Sequence, residues 1–128
     1  MTGRVVHFEL PFDDGQRARG FYRDAFGWEL QEIPEMGYTT VESGPSGDQG
    51  PTEPGYIGGG MLDRSASPAS GPVLVIDVDD IDAALEKIVK LGGSTLVGRT
   101  QVADMGFSAY FTDPEGNVMG LWESARRA

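Results

Sequence analysis

The segment Val73-Leu74-Val75-Ile76-Asp77-Val78-Asp79-Asp80-Ile81-Asp82-Ala83-Ala84-Leu85-Glu86-Lys87-Ile88-Val89-Lys90-Leu91-Gly92-Gly93 reads as one strand followed by one helix. Its start is almost continuously apolar, the pattern of a strand buried on both faces. Asp80 stands where an N-cap belongs. Ile81, Ala84, Leu85, Ile88 and Leu91 recur at helical spacing, and Gly92-Gly93 ends the run. The same grammar occurs near the start of the chain. Val5 to Leu10 alternates as a strand, with His7 and Glu9 on one face and Val6, Phe8 and Leu10 on the other. Asp14 then caps a helix carrying Ala18, Phe21, Tyr22, Ala25 and Phe26, and Gly27 sits where a C-terminal glycine belongs. The copies match at a displacement of 66 residues, with His7 on Val73, Asp14 on Asp80 and Tyr22 on Ile88.

Three strands are expected after each helix. In the first copy they are Trp28 to Ile33, Tyr38 to Glu42 after the turn Pro34-Glu35-Met36-Gly37, and Tyr56 to Leu62. The intervening Ser43 to Gly55 is rich in turn formers and reads as a long loop, a candidate mobile cover. In the second copy the strands are Ser94 to Val97, Phe107 to Thr112 and Val118 to Glu123. The turn Asp113-Pro114-Glu115-Gly116-Asn117 separates the last two, and 124–128 is a polar tail. Gly58-Gly59-Gly60 marks either the close approach of a backbone or ligand, or a bulge at a sheet bend. The fold class is therefore α+β: two βαβββ modules, about 4–62 and 72–123, within one domain of 1–128. Their curved mixed sheets enclose a cavity and keep the helices outside.

Composition narrows the function. The 128 residues carry twenty acidic and ten basic side chains, a net charge of −10 that repels phosphate backbones and anionic headgroups. Nucleic acid and membrane are not expected as partners. No cysteine is present and histidine occurs once, at His7, which leaves no thiolate zinc site, cysteine nucleophile or two-histidine metal motif within one chain. No apolar run approaches the ~20 residues of a membrane span, and the N-terminus lacks the apolar stretch of a signal peptide. A cytoplasmic protein is the expectation.

The module order, Phe21-Tyr22 followed by Phe26-Gly27-Trp28, Leu91-Gly92-Gly93 and Asp113-Pro114-Glu115-Gly116-Asn117 together resemble the vicinal oxygen chelate superfamily, which includes glyoxalase I, extradiol dioxygenases and bleomycin-resistance proteins. Val5-Val6-His7-Phe8-Glu9 and Asn117-Val118-Met119-Gly120-Leu121-Trp122-Glu123 look most like its small glyoxalase-like members. The resemblance implies metal-ligand places at His7, near Gly60, at Val73 and at Gly120. Only His7 has a ligating side chain there. Glu123 should point to the face opposite Gly120, so no metal and no other cofactor is expected. Members of the superfamily commonly pair modules across chains, which implies a homodimer.

The cavity face then offers His7 and Glu9 as candidate catalytic residues. Trp122, Val73, Val75, Gly120, Tyr56 and Gly60 are candidate ligand-binding residues. His7 titrates near neutrality and suits proton transfer; the same pattern also fits a half-buried histidine satisfied by hydrogen bonds. Trp122 fits either a stacking surface for an aromatic or cationic ligand or a core tryptophan. Tyr38, Thr40 and Met61 are further candidates whose facing the pattern does not fix. The expected function is a small-molecule binder working without a catalytic metal. The alternatives are a metal-free lyase or isomerase using His7 and Glu9, and a metal-dependent glyoxalase or dioxygenase with ligands not visible in the pattern.

Overall fold

In the computed structural model, residues 3–48 and 50–125 are described. Gln49 in the expected loop, the first two residues and the tail beyond Ala125 lie outside them. Among the described residues, ten strands and two α-helices follow in the order β1 (Val5–Phe12), α1 (Gly15–Phe26), β2 (Glu29–Ile33), β3 (Tyr38–Glu42), β4 (Ser46–Gly47), β5 (Gly50–Pro51), β6 (Gly58–Asp63), β7 (Val73–Asp77), α2 (Ile81–Lys90), β8 (Ser94–Val102), β9 (Gly106–Thr112) and β10 (Val118–Ser124). The architecture is α+β, as the pattern predicts. Two compact units are formed, an amino-terminal one from 7–72 and a carboxy-terminal one from 73–125 with the first few residues of the chain.

Both helices begin as the repeat requires. Asp14 accepts from the Arg17 N–H at 3.1 Å, and Asp80 accepts from the Ala83 N–H at 3.1 Å. Each satisfies one of the four N–H groups that a helix start leaves without an intrahelical partner. Gly27 ends α1 in the left-handed region, with φ 73°, and its N–H returns to the Arg23 carbonyl. Gly92 takes φ 103° just after α2.

In the carboxy-terminal unit β10 pairs parallel with β7 and antiparallel with β9, and β9 pairs antiparallel with β8. Ile81 and Leu85 of α2 pack against Ala109, Phe111 and Leu121, forming a buried core edged by Ile76, Ile88, Phe107 and Met119. Burying each large aliphatic side chain there is worth about 1.5–3 kcal/mol. β8 runs five residues past the strand expected from the sequence, to Val102, and shifts register between Thr95 and Val97 and between Val97 and Thr100. It is exposed along almost its whole length, so no alternation of apolar residues marks its extent.

In the amino-terminal unit β6 pairs parallel with β1 and antiparallel with β3, and β3 pairs antiparallel with β2. Here α1 holds to the sheet differently. Tyr22 stacks on Trp28 at 4.8 Å between ring centroids, and Trp28 meets Phe8 of β1 at 5.8 Å. Arg19 donates to Thr39 Oγ1 at 3.3 Å. Phe21 and Phe26, read from their spacing as part of the apolar stripe, are 59% and 64% exposed. The region expected as loop contains the short β4–β5 hairpin. It is tied internally by Ser43 Oγ donating to the Ile57 carbonyl at 2.8 Å and by Thr52 Oγ1 donating to Pro45 at 3.1 Å.

Candidate functional site

Strand alternation sorts the residues of β1. Phe8 turns toward Trp28 on the α1 face, which sends His7 and Glu9 to the opposite face. Glu9 is 7% exposed and His7 is half-buried. Their register partners on β6 are Gly60 and Gly58 respectively.

Tyr38 completes the group. It starts β3, opposite Leu62, and its side chain crosses β6 to reach β1, two strand spacings of ~4.8 Å away. His7 Nε2 lies 2.8 Å from Tyr38 Oη, and Tyr38 Oη donates to Glu9 Oε2 at 3.0 Å. The imidazole and phenol rings are nearly parallel, at 13° with centroids 6.5 Å apart.

Gly60 makes the crossing possible. A Cβ at this position would lie 1.8 Å from Tyr38 Oη and 2.0 Å from Cζ. On the other face, a Cβ at Gly59 would lie 2.5 Å from Phe8 Cε1. The glycine run thus marks close approach, but of two side chains of the protein itself. The β1–β6 pairing is continuous from His7 to Phe12, so no bulge explains these glycines. The space over Gly60 is filled by Tyr38.

Burial around the imidazole lowers the His7 pKa from its ordinary value near 6.5, while the Glu9 charge acts in the opposite direction. Desolvation wins, and His7 is neutral at pH 7. A neutral imidazole is both a donor and an acceptor, so it suits hydrogen bonding or proton abstraction.

The other residues selected from the sequence lie on other elements. Val73, Val75, Gly120 and Trp122 belong to the carboxy-terminal unit. There Gly120 pairs with Val75 and Trp122 with Asp77. Trp122 is half-buried and does not belong to the core cluster against α2. Its ring packs over Gly106, where a Cβ would come within 2.7 Å of it. Tyr56 is not brought to His7. Its ring covers Gly44 and its hydroxyl donates to the Pro45 carbonyl, which anchors the preceding loop. Glu123 does face away from Gly120: its Oε1 accepts from the Ile81 N–H at 2.9 Å at the start of α2. The same carboxylate pairs with Arg99 at 2.9 Å, whose guanidinium lies 3.5 Å over the Phe107 ring.

A separate cleft of about 450 Å³ in the amino-terminal unit is lined by Glu29, Glu42, Ser43, Ser46 and Thr52, among others. It contains none of the residues selected from the sequence.

The donors do not suit the metal implied by the superfamily. Among the described residues no three His, Cys, Asp or Glu side chains are grouped to hold an ion. His7 Nε2 and Glu9 Oε2 both bond the Tyr38 hydroxyl. At Gly120 a Cβ would already lie 3.0 Å from Val75 Cγ2, so a longer ligating side chain there would require Val75 to move. One imidazole and one carboxylate fall short of the three protein ligands of a catalytic zinc site.

The family described as bleomycin resistance protein-like N-terminal matches residues 4–44. A glyoxylase-like domain-containing protein of Didymella fabae is 35% identical over 131 residues, covering 94% of this chain and 94% of its own length. The Mycobacterium bovis protein CFP32, which carries a glyoxylase name, is 28% identical over 92% of this chain. This chain spans only 44% of that relative. Among solved structures, a methylmalonyl-CoA epimerase of Streptomyces coelicolor superposes with TM-score 0.68 at 18% identity, covering 99% of this chain and 98% of its own. A glyoxalase/bleomycin resistance protein/dioxygenase superfamily member of Vibrio splendidus gives 0.62 at 17%, covering 97% and 99%. At such identities these two structures speak for the fold alone. The full-length match to the Didymella relative, the family match over 4–44 and the shared fold together establish that this chain belongs to the glyoxalase-like family of the vicinal oxygen chelate superfamily.

Proposed function

We propose that this chain binds a small aromatic or cationic molecule at the sheet face holding His7, Tyr38 and Glu9, and that it does so without a catalytic metal. The observation that carries this reading is the shared Tyr38 hydroxyl. It engages both the imidazole and the carboxylate, joining His7 and Glu9 into one hydrogen-bonded group that, with a single imidazole and a single carboxylate, falls short of the three protein ligands of a catalytic zinc. The net charge of −10 favours cationic over anionic ligands. Within the carboxy-terminal unit, Trp122 is proposed separately as a stacking surface for an aromatic or cationic molecule, worth roughly 0.5–2 kcal/mol for a desolvated cation. The test is a thermal-shift screen of aromatic and cationic compounds, with and without chelator, alongside metal analysis of untreated protein. Stabilisation that survives the chelator supports the reading. A screen that stabilises nothing, or stabilisation abolished by chelator, refutes it.

A second reading is favoured by the same hydrogen-bonded chain: metal-free lyase or isomerase chemistry with His7 as base and Glu9 supporting it through Tyr38. A neutral imidazole beside a carboxylate can take a proton from a substrate C–H while the bonding pair stays on the substrate carbon. His7→Ala separates the readings. Product formation lost at near-normal ligand affinity indicates the enzyme; absence of any product with the wild-type chain indicates the binder.

A further inference from the structure

We propose that Tyr38 is a positioning residue that holds His7 in a single tautomer, with the proton on Nε2 and the lone pair on Nδ1, so that the site selects ligands presenting an N–H or O–H donor. This deepens the reading just given and rests on it for the ligand.

A tyrosine hydroxyl has one proton to give, and an ionised carboxylate can only accept. Tyr38 Oη spends that proton on Glu9 Oε2 at 3.0 Å. Its contact with His7 Nε2 at 2.8 Å must then be one in which the hydroxyl oxygen accepts and Nε2–H donates. A neutral imidazole carries one N–H, so Nδ1 keeps its lone pair. Among the described residues no group hydrogen-bonds Nδ1. The hydroxyl is held in place from below, because the missing Cβ at Gly60 leaves a slot that the phenol fills.

Once a ligand covers the half-buried ring, an Nδ1 lone pair left without a donor is costly. A ligand N–H or O–H pairs it; the corresponding N-methyl or O-methyl compound leaves it unpaired and adds bulk where the bond would form. Tyr38 touches no reacting atom in this scheme. It acts through His7.

The test uses the fact that His7 is the chain's one histidine, so a histidine-labelled sample gives a single imidazole. Long-range proton–nitrogen spectra at pH 8 should show Nδ1 unprotonated and Nε2 protonated in the wild type. In Tyr38→Phe the two nitrogens should move toward each other as the tautomers mix. A protonated Nδ1 in the wild type, or an unchanged pattern in Tyr38→Phe, overturns the assignment. If Tyr38→Phe does not fold, Glu9→Gln serves instead: an amide can donate to Tyr38, which frees the tyrosine proton to turn toward His7 and mixes the tautomers. For the ligand class, indole and 1-methylindole are titrated into the same labelled protein. Indole is expected to shift the Nδ1 signal and to bind about tenfold more tightly. Equal affinities overturn the donor preference and leave the binding reading standing. Binding by neither refutes binding of simple aromatic ligands, and the spectra of the ligand-free chain still decide the tautomer.

Discussion

Replacing Gly60 with alanine tests the construction of the site at its narrowest point. The added Cβ would lie 1.8 Å from Tyr38 Oη, 2.0 Å from Cζ and 2.3 Å from Cε2, so the phenol has to leave. Its departure removes two hydrogen bonds, those to His7 and Glu9. At about 1 kcal/mol for the neutral one and roughly 1.5–3 for the charge-assisted one, the loss is about 2.5–4 kcal/mol. Alanine recovers about 0.5–1 kcal/mol over glycine in a strand through lower backbone entropy. A net destabilisation of about 1.5–3.5 kcal/mol is expected, together with a mixed His7 tautomer. Urea denaturation followed by tryptophan fluorescence measures the first. Gly20→Ala is the control: it lies within α1, nothing comes within 4 Å of the added methyl, and it should stabilise by about 1 kcal/mol. In a Tyr38→Ala background Gly60→Ala should become neutral or mildly stabilising, because the clash partner is gone. A Gly60→Ala protein as stable as wild type, or equally destabilised in both backgrounds, would refute the Tyr38 crossing.

Protonation of His7 gives a further expectation. Its folded pKa is lowered below 6.5, so above that pH both states are neutral and the residue contributes no pH dependence. As pH falls below 6.5 the unfolded chain gains the proton first, and stability declines by at most about 1.4 kcal/mol per pH unit until the folded pKa is reached. His7→Gln should flatten that part of a stability-against-pH profile; an unchanged slope would contradict the burial of the ring. Glu123→Ala removes the acceptor from the Ile81 N–H and should cost about 1 kcal/mol in chemical denaturation. Trp122→Phe should weaken binding of an aromatic ligand with little loss of stability, and the reverse outcome would make Trp122 a core residue. The homodimer expected from the superfamily resemblance predicts a light-scattering mass of twice the chain across a broad concentration range.

The helix starts were legible because capping is local. Asp14 and Asp80 stand 66 residues apart and each bonds the N–H three residues on. Alternation likewise placed His7 and Glu9 on one face, and turned Glu123 away from Gly120. Tyr38 stood among the weaker candidates because its role depends on β3 lying beside β6 and β6 beside β1, a pairing no short window of sequence reveals. The signal that could have found it was Gly60, whose missing side chain calls for a neighbour to fill the space. Tyr56, also a candidate for the ligand site, instead uses its hydroxyl on the Pro45 carbonyl. Periodicity also overstated the buried stripe of α1. Phe21 and Phe26 satisfy the spacing but are largely exposed, while Tyr22 stacks on Trp28 and Arg19 bonds Thr39 of β3.

Metal-free ligand binding beside His7 is best decided by following the imidazole nitrogen signals of His7 during a titration with indole, in parallel samples with and without excess EDTA. The same shift and the same affinity are expected in both. A shift that disappears with EDTA and returns on adding a divalent metal would contradict the proposed function and restore a metal-dependent chemistry to this fold.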